Sequence, residues 1–458
     1  MKNLMLILIL VSTAGFAQST RTQTHEQASK AFAELNFFYK GRGMAISPDM
    51  IKLYEVMSKA GIGMNDQGMI ASRWGLLFRE NKAVGIFNEP YEGMDVGVLG
   101  CVACHSGKAA GEYIIGLGNK NIDVGQIGKD ASLGMKIWGA APRKNPKFKE
   151  LHARSMKFTS GLAQKEVSNL TQGLVPTSLI RSWFYEQQGK TLPKNFPRGQ
   201  VKVPHMWGYG EKRKTGSFWD GEGNGELGGW GIAVELYAGQ TVENVREYFE
   251  KVHHAENYLG DLLPPKYPFQ IDRLKAKRGE QVYQQTCMGC HGSHERDLNG
   301  DPIFESPKHI PLTVVKTDPD RLKALTEELY HLIEINPLND VIQSVRKPTP
   351  GYVAQKLWGV WSRFPYLHNG SVPTIYDLLL PPDQRPKLFS LKNSGEKERF
   401  DETKMGLTQE KISNFERKSR RIYDVSRDGQ SNQGHYFDKF KTLTEAERLA
   451  LIEYLKTL

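Results

Sequence analysis

Apolar residues recur at helical spacing in several parts of this chain. Near the start, the spacing predicts helices over residues 26–40 and 49–59, and further on over 241–254. Thr241 is the expected N-cap of the last of these helices, because its hydroxyl can accept a free backbone N–H. Between 191 and 232, Gly, Pro and Trp are frequent instead, which predicts a long irregular segment. Segments of that kind are usually functional in compact domains.

The C-terminal part of the chain carries sharper signals. Pro264–Pro268 predicts a stiff linker, and residues 271–286 predict a helix. Thr444–Glu447 has the pattern of a capping box that begins a terminal helix. The basic and polar span 387–421 is expected to be a surface excursion with a helix at 408–421.

All four cysteines of the chain lie in two Cys-x-x-Cys-His runs. Two residues between the cysteines let both thiols reach the vinyl groups on one edge of a porphyrin, and the adjacent histidine then reaches the iron as proximal ligand. A redox dithiol does not need a histidine twice at the next position, and a zinc site needs four thiolates or paired histidines. The runs predict two covalently bound haem c groups, held by Cys101, Cys104 and His105 and by Cys287, Cys290 and His291.

The N-terminus has the features of a secretory signal peptide, predicted over residues 1–17. Lys2 is followed by the apolar run Leu4–Val11 and by small residues that suit a cleavage site before Gln18. No later stretch is apolar enough to span a bilayer, so no integral membrane segment is expected after cleavage. A periplasmic or secreted protein is predicted, which agrees with haem attachment outside the cytoplasm.

Composition and charge restrict the partners. The formal net charge is +10, and 39% of the residues are hydrophobic, which supports real cores. The basic residues either pair with haem propionates and solvate the surface, or steer the protein toward an acidic redox partner. A small redox donor, a cytochrome c or a cupredoxin, or a small-molecule substrate is therefore expected. No motif indicates nucleic-acid binding.

These observations predict a mainly α fold of two cytochrome c-like haem domains with long irregular loops. An N-terminal helical extension is expected over 18–85. The N-terminal haem domain, the candidate catalytic one, is expected over 86–262. The electron-transfer haem domain is expected over 263–458.

A segment downstream of the second run is distinctive: Trp361–Thr374 reads W-S-R-F-P-Y-L-H-N-G-S-V-P-T. It resembles a segment of the di-haem cytochrome c peroxidase superfamily, most closely the rubber oxygenase branch. The resemblance extends over roughly residues 90 to 458. Weaker matches lie at Gly116–Asn119, Phe218–Gly221, Gly434–His435 and Ile452–Lys456.

The resemblance implies that His368 is the distal ligand of the second haem, which makes that iron bis-histidine. The alternatives are that His368 binds a propionate and that Met405 is the ligand. For the first haem, no histidine occurs between His105 and His152, and Met135 is the one methionine there, expected to pack in a core. The first iron is therefore expected to have an open or weakly occupied distal face. Such an iron can bind peroxide or dioxygen, so this haem is the candidate catalytic centre.

By the same resemblance, aromatic residues of the irregular segment line the first haem. Trp207 is expected to lie between the haems, and Phe218 or Trp219 over the open iron, unless these aromatics only pack against porphyrin or core. Trp230 is a further aromatic of this segment. Candidate acid–base residues are Glu112, Glu222 and Glu226, and the histidines expected to be surface or structural are His205, His253, His254 and His435.

Three functions follow. The first is a di-haem oxidoreductase that activates peroxide or dioxygen at the N-terminal haem, with electrons relayed through the C-terminal haem. Peroxidase-like and rubber-oxygenase-like reactions remain open within it. The second is a non-catalytic di-haem electron carrier. The third is a maturation enzyme that acts on a partner protein.

Overall fold

Short helices alternate with two-stranded antiparallel ribbons along the chain. The computed structural model describes residues 67–79, 82–91, 94–139, 167, 169–215, 218–223, 242–243, 246, 259, 262–342 and 346–458. The predicted signal peptide and the helices at 26–40 and 49–59 lie outside these ranges. Of the helix predicted over 241–254, only 242, 243 and 246 are described, and these are helical.

Ribbons surround the first Cys-x-x-Cys-His run. Strands β3 with β4, β5 with β6 and β7 with β8 pair antiparallel, as do the short β1 and β2. The elements are α1 Gln67–Trp74, β1 Phe78–Arg79, β2 Lys82–Ala83, β3 Ile86–Tyr91, β4 Met94–Leu99, α2 Cys101–Cys104, β5 Ser106–Ala109, β6 Glu112–Ile115, α3 Val124–Gly139, β7 Leu174–Pro176, α4 Thr177–Gln187, β8 Gln200–Lys202 and α5 Tyr209–Thr215.

Longer helices frame the second run. The elements are α6 Arg273–Thr286, α7 Met288–His291, β9 Lys308–Pro311, α8 Leu312–Val315, α9 Asp320–Lys323, α10 Glu327–Glu334, α11 Asn339–Ile342, β10 Gly351–Ala354, α12 Ile375–Leu378, β11 Leu388–Ser390, β12 Phe400–Asp401, β13 Gly406–Leu407, β14 Ile422–Asp424, α13 Asp438–Lys441 and α14 Glu445–Leu455. Strand β9 pairs with β10, β11 with β14, and β12 with β13.

Helices α6 and α14 cross at close range. The side chain of Asp272 caps α6 by accepting from Lys275 N. In α14 the Thr444 hydroxyl and the Glu447 carboxylate form both bonds of the predicted capping box. A Cβ at Gly279 would lie 1.8 Å from the carbonyl oxygen of Ala450, so only glycine permits this crossing. The helices predicted at 271–286 and after 444 are confirmed.

One apolar cluster runs through both predicted haem domains. It includes Val102 and Trp207 from the first half and Trp361 and Leu451 from the second, all buried. The predicted domain boundary at 262/263 stays a prediction, but the core crosses it. Pro264–Pro268 has neither helix nor strand, and it is packed rather than free, because Trp361 Nε1 donates to Pro265 O at 2.9 Å.

Two predictions of secondary structure need correction. The span 387–421 contributes β11, β12 and β13 and buries Phe389, Phe400 and Leu407, so it is partly core. Residues 408–421 form no α-helix, only a 3₁₀ turn at Glu416–Lys418. The mainly α expectation is not confirmed as a whole, because the described residues hold seven two-stranded sheets beside the helices.

The irregular segment is largely as predicted in its described parts, 191–215 and 218–223, apart from β8 and α5. Among the described residues, none of the helices has the length and apolar character needed to cross a membrane.

Candidate haem sites

The first run occupies one turn of helix between two ribbons. Helix α2 begins directly after β4, and β5 begins directly after His105. The Asn119 side-chain nitrogen donates to Ala103 O at 3.0 Å, which ties the turn to the following loop. His105 Nδ1 lies 3.2 Å from Pro204 O. A carbonyl can only accept, so this contact places the proton on Nδ1 and leaves Nε2 free as a ligand.

The second run follows α6 without a break. Cys287 ends α6 and begins α7, which carries Cys290 and His291. His291 Nδ1 lies 2.8 Å from Gln355 O, so its Nε2 is also free as a ligand. The Tyr283 hydroxyl donates to Gly292 O at 2.7 Å and holds the end of the run against α6.

The protonation of both runs suits thioether attachment and iron ligation. Burial lowers the pKa of His105 and of His291 to about 4, so both imidazoles are neutral, as metal ligation requires. Burial raises the pKa of the Cys104 thiol to about 12 and that of Cys287 to about 11. None of the four cysteines forms a disulfide.

A cavity of about 530 Å³ opens beside the second run. Its lining is mostly apolar, and its volume is within the range of small-molecule and cofactor sites. It contains Cys287, Cys290 and His291, together with the buried His368 and the half-buried His435. His368 Nε2 and His435 Nδ1 are buried without a hydrogen-bond partner. Two thiols, a neutral imidazole and unpartnered ring nitrogens around one apolar cavity fit a covalently attached haem.

His435 faces His291 across this cavity. The ring centroids lie 6.2 Å apart at an interplanar angle of 49°. Metal–imidazole bonds of about 2 Å place the centres of two opposed ligand rings roughly 6 Å apart. The backbone of His435 is left-handed (φ 48°). Arg385 Nη1 holds the preceding residue by donating to Gly434 O at 2.9 Å. From the sequence, His435 is expected to be a surface or structural residue. The weak match at Gly434–His435 is the one sequence signal that singles out this position.

His368 lies in the wall of the same cavity. Its ring stacks on Tyr352, with centroids 4.1 Å apart, and burial lowers its pKa to about 3. Its ligand role therefore stays a prediction, now with His435 as a rival. The other alternative, Met405, is fully buried but is not part of the cavity wall. Met135 lies in helix α3, and its side chain is outside the described structure.

Trp207 connects the two halves of the chain, and its place between the haems stays a prediction. It is buried, and its Nε1 donates to Trp358 O at 2.8 Å. Trp207 follows Pro204, the partner of His105, by three residues, and Trp358 follows Gln355, the partner of His291, by three residues. One hydrogen bond therefore joins the two segments on which the proximal histidines rest.

The aromatic residues predicted to lie over the first iron do not lie together at one site. Trp219 lines the cavity of the second run, and its Nε1 donates to Lys202 O at 3.0 Å. The resemblance implies that either Phe218 or Trp219 lies over the first iron, and this role of Trp219 stays a prediction. Phe218 is half-buried and is not part of that cavity wall. Its place over the first iron stays a prediction. Trp230 lies outside the described residues.

The structure describes two of the three acid–base candidates, and their roles stay predictions. Glu222 accepts from Arg181 Nη2 at 2.9 Å and is buried in an ion-pair network, so it is not a free carboxylate. Glu112 is exposed on β6. Glu226 lies outside the described residues, as do His253 and His254. His205 is buried with its ring nitrogen 2.9 Å from Lys212 Nζ, in agreement with a structural role.

Two family models match segments in the C-terminal half of the chain. Residues 274–334 match the family "Cytochrome C oxidase, cbb3-type, subunit III", and residues 351–390 match "RoxA-like, cytochrome c-like". The first match covers α6 and the second run, and the second covers the segment around His368. The chain therefore carries cytochrome c-like segments, which imply covalently bound haem c and a haem-based electron-transfer or redox function.

Two curated relatives, both from Sinorhizobium fredii (strain NBRC 101917 / NGR234), are similar to part of the chain. The "Uncharacterized protein y4iM" is 32% identical over 209 residues, 39% of this chain and 45% of that protein. The "Uncharacterized protein y4iJ" is 30% identical over 264 residues, 44% of this chain and 43% of that protein. The chain thus spans less than half the length of these relatives.

Proposed function

We propose that the protein is a periplasmic di-haem c-type oxidoreductase that activates peroxide or dioxygen at the site of Cys101, Cys104 and His105. Electrons would reach that site through the centre at Cys287, Cys290 and His291, supplied by a small cytochrome c or a cupredoxin. A haem held by these residues would supply an iron that cycles by one electron and binds small oxidants.

The observation that carries this proposal is the difference between the two proximal histidines. His291 has His435 opposite it at 6.2 Å, which suits an iron closed on both sides. No ring of the described residues is paired with His105 in this way, and its Nδ1 is fixed by Pro204 O. Closed and open coordination are the properties of electron-transfer and reactive haems, respectively.

The residues between the sites support the relay. Trp207 is buried, and its indole N–H binds Trp358 O, so its position is fixed relative to both proximal histidines. The surrounding apolar cluster excludes water from this region. A rigid, dry aromatic contact between two redox centres suits fast electron transfer, because little solvent reorganises there.

Coordination is tested by electron paramagnetic resonance of the oxidised protein. We expect one high-spin and one low-spin ferric signal, and a carbon monoxide shift in one of two reduced haems. His435→Ala should convert the low-spin signal to high spin, whereas His368→Ala should keep it. The opposite pattern would establish His368 as the ligand. Two low-spin signals without a carbon monoxide shift would leave only the electron carrier.

The relay is tested by Trp207→Phe, which keeps an aromatic ring and removes the N–H. We expect slower re-reduction of the first haem by reduced donor protein after a peroxide pulse, with both haems retained. Trp361→Phe is the matched control, because Trp361 is equally buried and its Nε1 donates to Pro265 O, a contact outside the route between the histidines. Equal rates in the two variants would remove Trp207 from the route.

The resemblance of 361–374 to the rubber oxygenase branch favours a second candidate, a dioxygenase that acts on an unsaturated apolar substrate. Oxygen uptake that depends on such a substrate, without turnover of peroxide, would favour this candidate over the peroxidase-like reaction.

A further inference from the structure

Four cationic side chains, three buried and one half-buried, lie where the two halves of the chain meet: Lys120, Lys202, Lys212 and Arg363, here called the cationic cluster. The exposed fractions of Lys120, Lys212 and Arg363 are 7%, 6% and 8%. Lys202 is half-buried at the cavity of the second run. Three of the four come from the first half of the chain, and Arg363 comes from the second.

Every hydrogen-bond partner of these cations is neutral. Lys120 Nζ donates to Ser362 O at 3.2 Å and lies 3.3 Å from the centroid of the Phe364 ring. Lys202 Nζ donates to Pro365 O at 2.6 Å and also to Arg363 O. These contacts satisfy N–H groups, but they do not neutralise charge.

The other two cations share one imidazole. Lys212 Nζ lies 2.9 Å from His205 Nε2 and donates to His205 O at 2.9 Å. Arg363 Nη1 lies 3.1 Å from the same Nε2. Burial, followed by the charge of Arg363, lowers the pKa of Lys212 well below its usual value.

No carboxylate of the described residues forms an ion pair with any member of the cluster. A second buried group shows the contrast: Arg321 binds Asp220 at 2.5 Å and Arg181 binds Glu222 at 2.9 Å, so its two cations meet two anions. Buried charges are costly unless they are paired. The cationic cluster therefore requires an anion that the described protein does not supply.

The position of the cluster indicates which anion this is. Lys120, Lys202 and Arg363 line the same cavity as Cys287, Cys290 and His291. A haem attached there brings two propionate carboxylates into that cavity. We propose that the three members of the cationic cluster that line this cavity, Lys120, Lys202 and Arg363, bind these propionates, so that lysines of the first half neutralise the haem of the second half. This inference rests on the proposed function, because it requires a haem at the second run.

The test uses the full-length, haem-loaded protein and the variants Lys120→Met, Lys202→Met and Arg363→Met. Removing a cation beside an ionised propionate leaves more negative charge near the iron, which favours the ferric state. Each variant should therefore lower the reduction potential of the low-spin haem, and a double variant should lower it further. Spectroelectrochemical titration measures these potentials.

Lys456→Met is the matched control. Lys456 is equally buried, but it has its own carboxylate, Glu453, at 2.7 Å, and it is not part of the cavity wall. We expect the reduction potential of the low-spin haem in this variant to equal that of the wild type. Lys202→Arg keeps the charge and should also keep the potential.

Infrared difference spectra of the wild type, with ¹³C-labelled propionates, give an independent measurement. Redox-dependent bands of ionised carboxylates support the proposal, and they should shift in Lys202→Met. Bands of protonated acids would overturn it, as would unchanged potentials in all three neutral variants with two haems retained. A haem content below two in the wild type would instead contradict the proposed function.

Discussion

The two Cys-x-x-Cys-His runs share one chemistry but are supported by different structures. The first lies between ribbons, with β4 before it and β5 immediately after it. The second follows the 14-residue helix α6, which crosses the terminal helix α14. In both regions the imidazole Nδ1 rests on a carbonyl from a distant segment. The pentapeptide thus predicts haem attachment, whereas long-range contacts would determine how each iron is coordinated.

The largest expected effect comes from removing the attachment sites separately. Cys101→Ala with Cys104→Ala should halve the covalent haem content and keep the low-spin signal. Cys287→Ala with Cys290→Ala should halve it too and remove the low-spin signal. Intact-protein mass spectrometry and the pyridine haemochrome assay measure the content. Loss of both haems from either variant would show that the sites do not form independently.

The helix crossing beside the second run is the next most sensitive feature. In Gly279→Ala, the new methyl would lie 1.8 Å from Ala450 O, and the backbones must separate. We expect a loss of about 3 kcal/mol in the free energy of unfolding, the upper end for overpacking. Denaturant titration checks this value. Lys277→Ala, exposed on the same helix, should change it by less than about 0.5 kcal/mol; equal effects would argue against the crossing.

A corresponding close contact supports the first run. A Cβ at Gly118 would lie 1.9 Å from Val203 O, next to Pro204, the partner of His105. Gly118→Ala should cost about 2 kcal/mol and displace Pro204. We expect the high-spin signal to change and the low-spin signal to persist, as measured by electron paramagnetic resonance. Changes confined to the low-spin signal would contradict the separate support of the two runs.

The smallest effect concerns the start of α14. Thr444→Ala removes the hydroxyl that caps this helix, and about 1 kcal/mol of unfolding free energy should be lost. Thr444→Ser keeps the oxygen and should retain most of the stability. Thermal or denaturant unfolding of the two variants separates capping from packing, because a similar loss in both would indicate lost contacts of the methyl group.

Local signals explain what the sequence predicted correctly. The capping box of α14 and the helix α6 depend on residues within a few positions of each other. The helix expected at 408–421 has helix-forming residues but little to bury, since Phe415 is 93% exposed. Propensity alone rarely stabilises so short a helix in water.

The features that were missed depend on contacts across the chain. His435 approaches His291 only through a left-handed turn, 144 positions later, which no local pattern indicates. The ribbons around the first run lie in a glycine-rich region. They were not predicted, because helical spacing does not indicate short strands. The cationic cluster joins residues from 120 to 363, so its lack of carboxylates is visible only in three dimensions.

The apolar cluster that continues across residues 262 and 263 has a kinetic consequence. The two proposed haems would be fixed on one packed core and could not separate or reorient, so electron transfer between them would need no encounter. Such a step is first order: its rate is independent of protein concentration and insensitive to solvent viscosity. Only electron delivery from a separate donor protein would depend on protein concentration or solvent viscosity.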